Sequence, residues 1–258
     1  MLLLLPLILI GQSYLPHFGN CQKTKLSDAL SIKIMSYNVW EFNKDQIAMT
    51  EVIKQEKPEI LLLQEIKPNW IQKIKNTLNK QYSGSLHVAY EPSIKLAVIS
   101  IYPLKKTEAF TQKTRAQKVV IKTPFGLMTV INIHAIKKKG WKYKHLQMKK
   151  LLEDDIVPEK GPLIFGGDFN TNEQSQSYKM INKYLDNAHS RVGCGYGFTY
   201  PARPSLFTVK HYSILPVIRI DHIFYSNHLI LLSARTIYES GGSDHFPIVA
   251  RFLFKTSS

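Results

Sequence analysis

At 258 residues the chain can form one large domain or two small ones, with a substantial buried core either way. Lysine and arginine number 34 against 19 aspartates and glutamates, a formal charge of +15, so the surface attracts polyanions: nucleic acid, anionic lipid headgroups or envelope polymers. Two cysteines exclude a disulfide framework and are expected to be unpaired. No Pro/Gly/Ser-rich linker, internal repeat or low-complexity tract divides the chain.

Residues 1–10 are nearly all Leu and Ile, followed by a mixed stretch over 11–26. The pattern predicts an export signal or a stub of membrane anchor, because an apolar core this short falls below the ~20 residues a spanning helix needs. No Lys or Arg precedes that core, as a signal would normally have. Cys21 offers a lipid-anchor alternative, against which the bulky Phe18-Gly19-Asn20 run argues. Residues 1–30 are thus set apart from a single domain over 31–258.

Within that domain an apolar run at 32–37 predicts a strand leading into Asn38, then a helix over 45–55 stopped by Pro58. A strand at 60–63 runs into Gln64-Glu65, and a second helix over 70–78 places Ile71, Ile74 and Leu78 on one face. Strands follow at 95–101 and 117–122, the latter turning through Pro124-Phe125-Gly126 into a strand at 128–133 that ends at His134. A third helix is expected over 141–155, with Trp141, His145, Met148 and Leu152 as its stripe. The run 163–167 leads into Asp168-Phe169-Asn170, and a fourth helix follows Asn172. Strands close the chain: the run 217–220 enters Asp221, and Ser243-Asp244-His245 leads out into 246–254.

Short apolar runs of this kind read as buried strands, and their ends lie at a sheet rim where loops gather. The residues at those ends are amides, carboxylates and imidazoles, with no Ser or Lys nucleophile beside an obvious base. Hard carboxylate and amide oxygens suit Mg²⁺ or Mn²⁺, and imidazoles can hydrogen-bond a phosphate. The inventory points to metal-assisted hydrolysis of phosphate esters.

Tyr37-Asn38-Val39, Leu63-Gln64-Glu65, Asn132-Ile133-His134, Gly166-Gly167-Asp168-Phe169-Asn170, Arg219-Ile220-Asp221 and Ser243-Asp244-His245 stand in an order that resembles the endonuclease/exonuclease/phosphatase superfamily. The resemblance spans about residues 32–254. It implies an α/β four-layer sandwich: two mainly antiparallel sheets packed face to face, flanked by helices, with the site at one rim. It also implies roles. Glu65 ligates the metal, with Asn38 contributing its carbonyl directly or through water, and Asp244 is a candidate second ligand. Asp168 orients or deprotonates the attacking water, and Asn170 holds a phosphate oxygen. His134 and His245 flank the scissile phosphate, and Asp221 accepts a bond from the far nitrogen of His245. One-metal and two-metal schemes both stay open.

Two positions depart from the pattern, Ile101 where the family has Arg in Ser-Arg-Tyr-Pro, and Trp40 after Asn38-Val39. Both are expected near the substrate entrance, as is Ser100. The segment Lys137-Lys138-Lys139-Gly140-Trp141 can follow a nucleic-acid backbone or lie against anionic lipid. The loop 195–201, with Tyr200, resembles a substrate-side loop. The expected activity is that of a divalent-metal-dependent phosphodiesterase, a nuclease or an envelope or lipid phosphodiesterase. It would be monomeric and exported or membrane-tethered at a bacterial periplasm or cell surface, with the cytoplasm as the lesser option. A non-catalytic polyanion-binding module on the same fold is the alternative.

Overall fold

The computed structural model describes residues 19–20, 31–82, 86–110, 114–137, 140–202 and 216–255. Apart from Gly19–Asn20, the N-terminal segment expected to serve as a signal or anchor therefore lies outside the described residues, as do Lys138 and Lys139. No helix among the described residues is long and apolar enough to cross a membrane.

In chain order the elements are β1 (Gly19–Asn20), β2 (Ile32–Asn38), α1 (Gln46–Glu56), β3 (Ile60–Gln64), α2 (Pro68–Asn79), β4 (His87–Glu91), β5 (Leu96–Ser100), β6 (Leu104–Phe110) and β7 (Ala116–Thr123). They continue with β8 (Gly126–His134), α3 (Gly140–Leu151), β9 (Leu163–Asp168), α4 (Gln176–Ile181), β10 (Asp186–Asn187), α5 (Ala188–Val192) and β11 (Cys194–Gly195). Strands β12 (Asp221–Tyr225), β13 (Leu229–Thr236) and β14 (Ile248–Phe254) complete the chain. Two six-stranded sheets result, ordered β13-β14-β2-β3-β5-β4 and β10-β12-β9-β8-β7-β6. Only β2/β3 and β8/β9 pair in parallel within them, so the sheets are mixed but mainly antiparallel, as expected.

Alternate residues of the central strands enter different cores, because side chains on a strand point to opposite faces. From β2, Ile32 and Ile34 join Leu62, Val98, Val130 and Ile164 between the sheets. Met35 and Tyr37 turn the other way, onto Met49 and Ile53 of α1 and Trp70 and Ile74 of α2. From β8, Val130 faces the neighbouring sheet while Ile131 and Ile133 meet Met148 and Leu151 of α3. These three buried interfaces make the four layers. They also explain why the strands read as unbroken apolar runs.

Local chemistry fixes the helix ends. The Asp45 carboxylate caps α1 by accepting from the Ala48 N–H at 2.9 Å, and Pro68 opens α2, where a missing N–H costs nothing. The third helix is shorter than expected: regular α geometry stops at Leu151 and one π turn, Leu152–Ile156, carries it on. The run 217–220 is not a strand: Ile218 forms an isolated bridge with Tyr200, and the Ile220 carbonyl accepts the Phe169 N–H at 2.9 Å. The strand begins at Asp221 instead, and runs antiparallel to β9 with Asp221 opposite Asp168.

The expectation for the cysteines is overturned. Cys194 is disulfide-bonded, and the chain's other cysteine is Cys21. The antiparallel pairing of Asn20 with Cys194 brings the two stretches of chain together.

Glu56, at the end of α1, bonds Lys33 Nζ of β2 at 2.8 Å and Arg235 NH2 of β13 at 2.6 Å. Burial raises its carboxyl pKa, but the two cations outweigh burial and leave it lowered. Its contribution is therefore complete above the unfolded value of 4.5 and is lost as pH falls through the lower folded value. Glu56→Gln should lower stability at pH 7 by about 1–3 kcal/mol in urea unfolding, with the difference shrinking steadily below pH 4.5. A second weak point is Gly167, at φ +141°, where an added Cβ would lie 2.1 Å from the Ile133 carbonyl oxygen. Backbone cannot yield that distance, so Gly167→Ala should cost about 3 kcal/mol or more and lower the melting temperature by at least about 6 °C.

Candidate active site

Parallel pairing brings the carboxyl ends of β2 and β3 side by side, with Asn38 opposite Gln64 and Glu65 next in line. In the other sheet His134 ends β8 opposite Asp168 of β9. The two rims are tied beneath the surface. Gln64 Nε2 donates to Asn132 Oδ1 at 2.7 Å, and Asn132 Nδ2 donates back to the carbonyls of Leu63 and Ala97 at 3.0 and 3.1 Å. Above this tie, Asn38 Nδ2 reaches Glu65 Oε1 at 3.2 Å and Asp168 Oδ2 at 3.0 Å.

Asp168 is fully buried at the centre. It accepts the Asn170 N–H at 2.8 Å and Asn170 Nδ2 at 3.2 Å, while His134 Nε2 and His245 Nε2 stand 3.6 and 3.9 Å away. Burial alone would raise its pKa. The positive charge of His245 and the bonds from Asn170 and Asn38 prevail, so its carboxyl lies below the usual value and is ionised at neutral pH.

His245 Nδ1 lies 2.8 Å from Asp221 Oδ2. Burial lowers the imidazole's pKa, but the Asp221 and Asp168 carboxylates push it up to about 10. Asp221 is itself raised to about 6 by burial, against the opposing pull of His245. At neutral pH both partners are charged: an imidazolium with Nε2 aimed at Asp168. Thr199 Oγ1 accepts the Asp221 N–H at 3.3 Å and fixes the start of β12.

His134 differs. Burial holds its pKa below the ordinary value despite Asp168 and Glu65, and Arg115 adds to the depression. Arg115 NH2 lies 3.3 Å from Nδ1 and Arg115 Nε donates to the His134 carbonyl at 3.2 Å. Arginine can only donate, so Nδ1 is the acceptor and the proton sits on Nε2, facing Glu65 and Asp168. One imidazole is thus charged and the other neutral.

The donor set suits a hard dication. Glu65, Asp168 and Asp244 offer carboxylate oxygens, and Asp244 Oδ1 is buried with no hydrogen-bond partner among the described residues. Burial raises the Asp244 pKa and outweighs the charges of His245, 4.0 Å away, and Lys137, which lower it. Asp168, Asp221 and His245 also present ligand atoms within 4.8 Å of one another. Since Asp221 is already bonded to His245, the Glu65 side is the better cation site. Two sequence-derived roles look different in detail. Asn38 turns its NH₂ to the carboxylates while its carbonyl accepts the Trp40 N–H at 3.0 Å, so ligating through oxygen requires a flip of the amide. Asn170, at φ +48°, spends its NH₂ on Asp168 and the Ala135 carbonyl.

Of the other expected substrate residues, Lys137 Nζ sits 5.3 Å from the Tyr200 ring, and that ring lies 5.0 Å from the His245 ring, so both border the centre. Trp141 stands at the start of α3, largely exposed. Ser100 is displaced from the site. Register pairs it with Ile60, at the far end of β3 from Glu65, and it is buried with its hydroxyl accepting the Tyr102 N–H. At ~3.3 Å per residue it lies about 13 Å from the catalytic rim, and Ile101 lies beyond it.

Sequence reading missed several residues that hold the site. Besides Arg115 and the Gln64–Asn132 tie, Ser243 Oγ donates to the Asn38 carbonyl at 2.7 Å, fastening the His245 loop to β2. His222 Nε2 lies 2.9 Å from the Thr171 carbonyl, and the Arg219–Glu173 pair is buried beside it, so both anchor the loop after Asn170. For Gln64, Asn132, Arg219 and Ser243 their places inside named motifs were the available signal.

The sequence profile of the Endonuclease/Exonuclease/phosphatase family matches residues 35–245, from β2 to His245. The chain belongs to this family. Its members are metal-dependent phosphoesterases. The chain is 26% identical to a UPF0294 protein of Vibrio campbellii, covering 86% of this chain and 77% of that protein. The human Nocturnin catalytic domain, solved with a bound sulfate anion, superposes with a TM-score of 0.64 at 21% identity, covering 91% of this chain and 97% of that one. An endonuclease/exonuclease/phosphatase family protein from Leptotrichia buccalis gives 0.66 at 17% identity, covering 86% and 100%. At such identities the structures establish the shared fold.

Asp221→Asn should lower kcat about 10²–10⁴-fold by removing the charge that holds His245 as imidazolium. Arg115→Met should lower it about 10-fold through His134, with circular dichroism unchanged.

Proposed function

We propose that the protein is a divalent-metal-dependent phosphodiesterase acting at this rim. The observation that carries the reading is the Asp168 carboxylate, ionised and fully buried between a charged and a neutral imidazole, beside the carboxylates of Glu65 and Asp244. A site for passive anion binding gains nothing from such negative charge.

Glu65, Asp244 and, after an amide flip, Asn38 would hold Mg²⁺ or Mn²⁺. The ion, when bound, supplies positive charge for the phosphate oxygens. Asp168 accepts a hydrogen bond from the attacking water and orients it. The water oxygen forms the new P–O bond, its proton passes toward Asp168, the ester P–O bond breaks opposite, and the departing oxygen takes up a proton from bulk water. His245 and His134 donate from Nε2 to the phosphate oxygens as charge grows on them, with Lys137 adding long-range attraction. Asn170 positions Asp168 through both of its donors, and its NH₂ can turn to a phosphate oxygen when substrate displaces the bond to Ala135.

Export is the favoured location. Disulfides persist in oxidising compartments, so the bond at Cys194 supports a periplasmic or surface protein, in keeping with the apolar residues 1–10. We take the functional unit to be the monomer, since each catalytic residue comes from this one chain.

Purified protein should hydrolyse bis(p-nitrophenyl) phosphate with Mg²⁺ or Mn²⁺, lose turnover in EDTA and regain it on readdition of metal. His245→Ala and Glu65→Gln should each reduce kcat at least about 10³-fold. Full activity in either variant, or turnover indifferent to EDTA, rejects the assignment. Polyanion binding with no turnover of any diester would favour the binding-module alternative.

A further inference from the structure

Beside the phosphate site lies a groove of about 360 Å³, between the first turns of α3 and the loop that follows Asn170. Trp141, Lys144 and His145 form one wall, and Thr171, Gln174 and Ser177 line the other. The groove adjoins the catalytic centre through Lys144 and Thr171. Lys144 Nζ donates to the Asn170 carbonyl, and Thr171 is the next residue after Asn170. His145 Nδ1 and Ser177 Oγ lie 3.5 Å apart, joining the walls.

Its chemistry is selective. The lining is hydroxyl, amide, imidazole and ammonium, with one large apolar surface, the Trp141 indole. That ring is 65% exposed, with Lys142 Nζ 5.8 Å from its centroid. An acyl chain would strand these polar groups without partners, at a cost that an apolar trough avoids. A planar base satisfies both parts, stacking on the indole while hydroxyls and amides meet its edge and sugar. Stacking needs a free π-face, which a base within a duplex lacks. Tyr143 and Leu146, also exposed on α3, do not line the groove.

Building on the phosphodiesterase reading, we infer that this groove is a subsite for a nucleoside flanking the scissile phosphate of a single-stranded nucleic acid, its base stacked on Trp141 and its sugar-phosphate beside Lys144. The substrate class is thereby nucleic acid, with the polar wall from Thr171 to Ser177 reading the nucleoside.

The test is a fluorescence titration of the full chain in EDTA with an unstructured oligothymidylate, and separately with phosphatidylglycerol vesicles carrying brominated acyl chains. Of the chain's three tryptophans Trp70 is buried, so stacking on Trp141 should quench a large share of the emission. Trp141→Phe should remove most of that quenching, and Trp141→Ala should weaken oligonucleotide binding about 10-fold. Quenching by the brominated vesicles and not by the oligonucleotide would overturn the proposal and assign the face to a membrane. Unchanged affinity in Trp141→Ala, or no quenching by either probe, would also overturn it. Hydrolysis of bis(p-nitrophenyl) phosphate, measured in parallel, tests the phosphodiesterase reading alone, so the two failures are separable.

Discussion

The hydrogen bond between Gln64 and Asn132 holds the active site together, because it crosses from one sheet to the other directly beneath the catalytic rim. Glu65 follows Gln64 in one sheet, and His134 lies two residues beyond Asn132 in the other. Apolar packing between sheets is non-directional and tolerates sliding. A buried amide pair does not: slippage by one residue would leave donors and acceptors unpaired in a dry interior, at about 1–3 kcal/mol each. The tie converts a greasy interface into a registered one. Asn38, bridging Glu65 and Asp168, repeats the device one layer nearer solvent.

Around that frame the protein gathers the carboxylates of Glu65, Asp168, Asp221 and Asp244 with only two imidazoles facing them. The backbone even places Asp168 and Asp221 opposite each other on neighbouring strands, a pairing that like charges oppose. Each carboxylate is managed differently. Asp221 is neutralised by His245, Asp168 by several hydrogen bonds, and Asp244, whose Oδ1 has no hydrogen-bond partner among the described residues, by His245 Nε2 at 4.0 Å. The residual negative charge favours a cation, which agrees with the family's metal dependence.

How much of this was legible in sequence follows from burial. Central strands covered on both faces read as continuous apolar runs, so β2, β3, β8 and β9 and their terminal polar residues were found nearly to the residue. Edge strands such as β4, half-exposed and mixed in composition, gave no such signal. Ser100 was misplaced because a run of apolar residues carries no direction. β5 runs antiparallel to β3, so its carboxyl end lies at the wrong rim. The run 217–220 misled for a related reason: it precedes its strand, and Asp221 sits at the rim because β12 starts there. Arg115 was invisible, since its role depends on an alignment of β7 against β8 that spacing does not encode. The cysteine pairing was lost the same way, through a two-residue strand too short to read.

The order of the strands bears on when the rim is assembled. β14 is inserted between β13 and β2, so the chain's last strand fills the interior of a sheet begun by one of its first. His245 arrives just ahead of it. As the chain leaves the ribosome, Asn38, Glu65, His134 and Asp168 can be in place while β2 still presents an open edge and the imidazolium is absent. Assembly of the rim therefore waits for the segment that carries His245 and β14. A product cut after residue 246 retains the motifs, lacks the strand that fills the sheet, and carries an exposed apolar edge suited to aggregation.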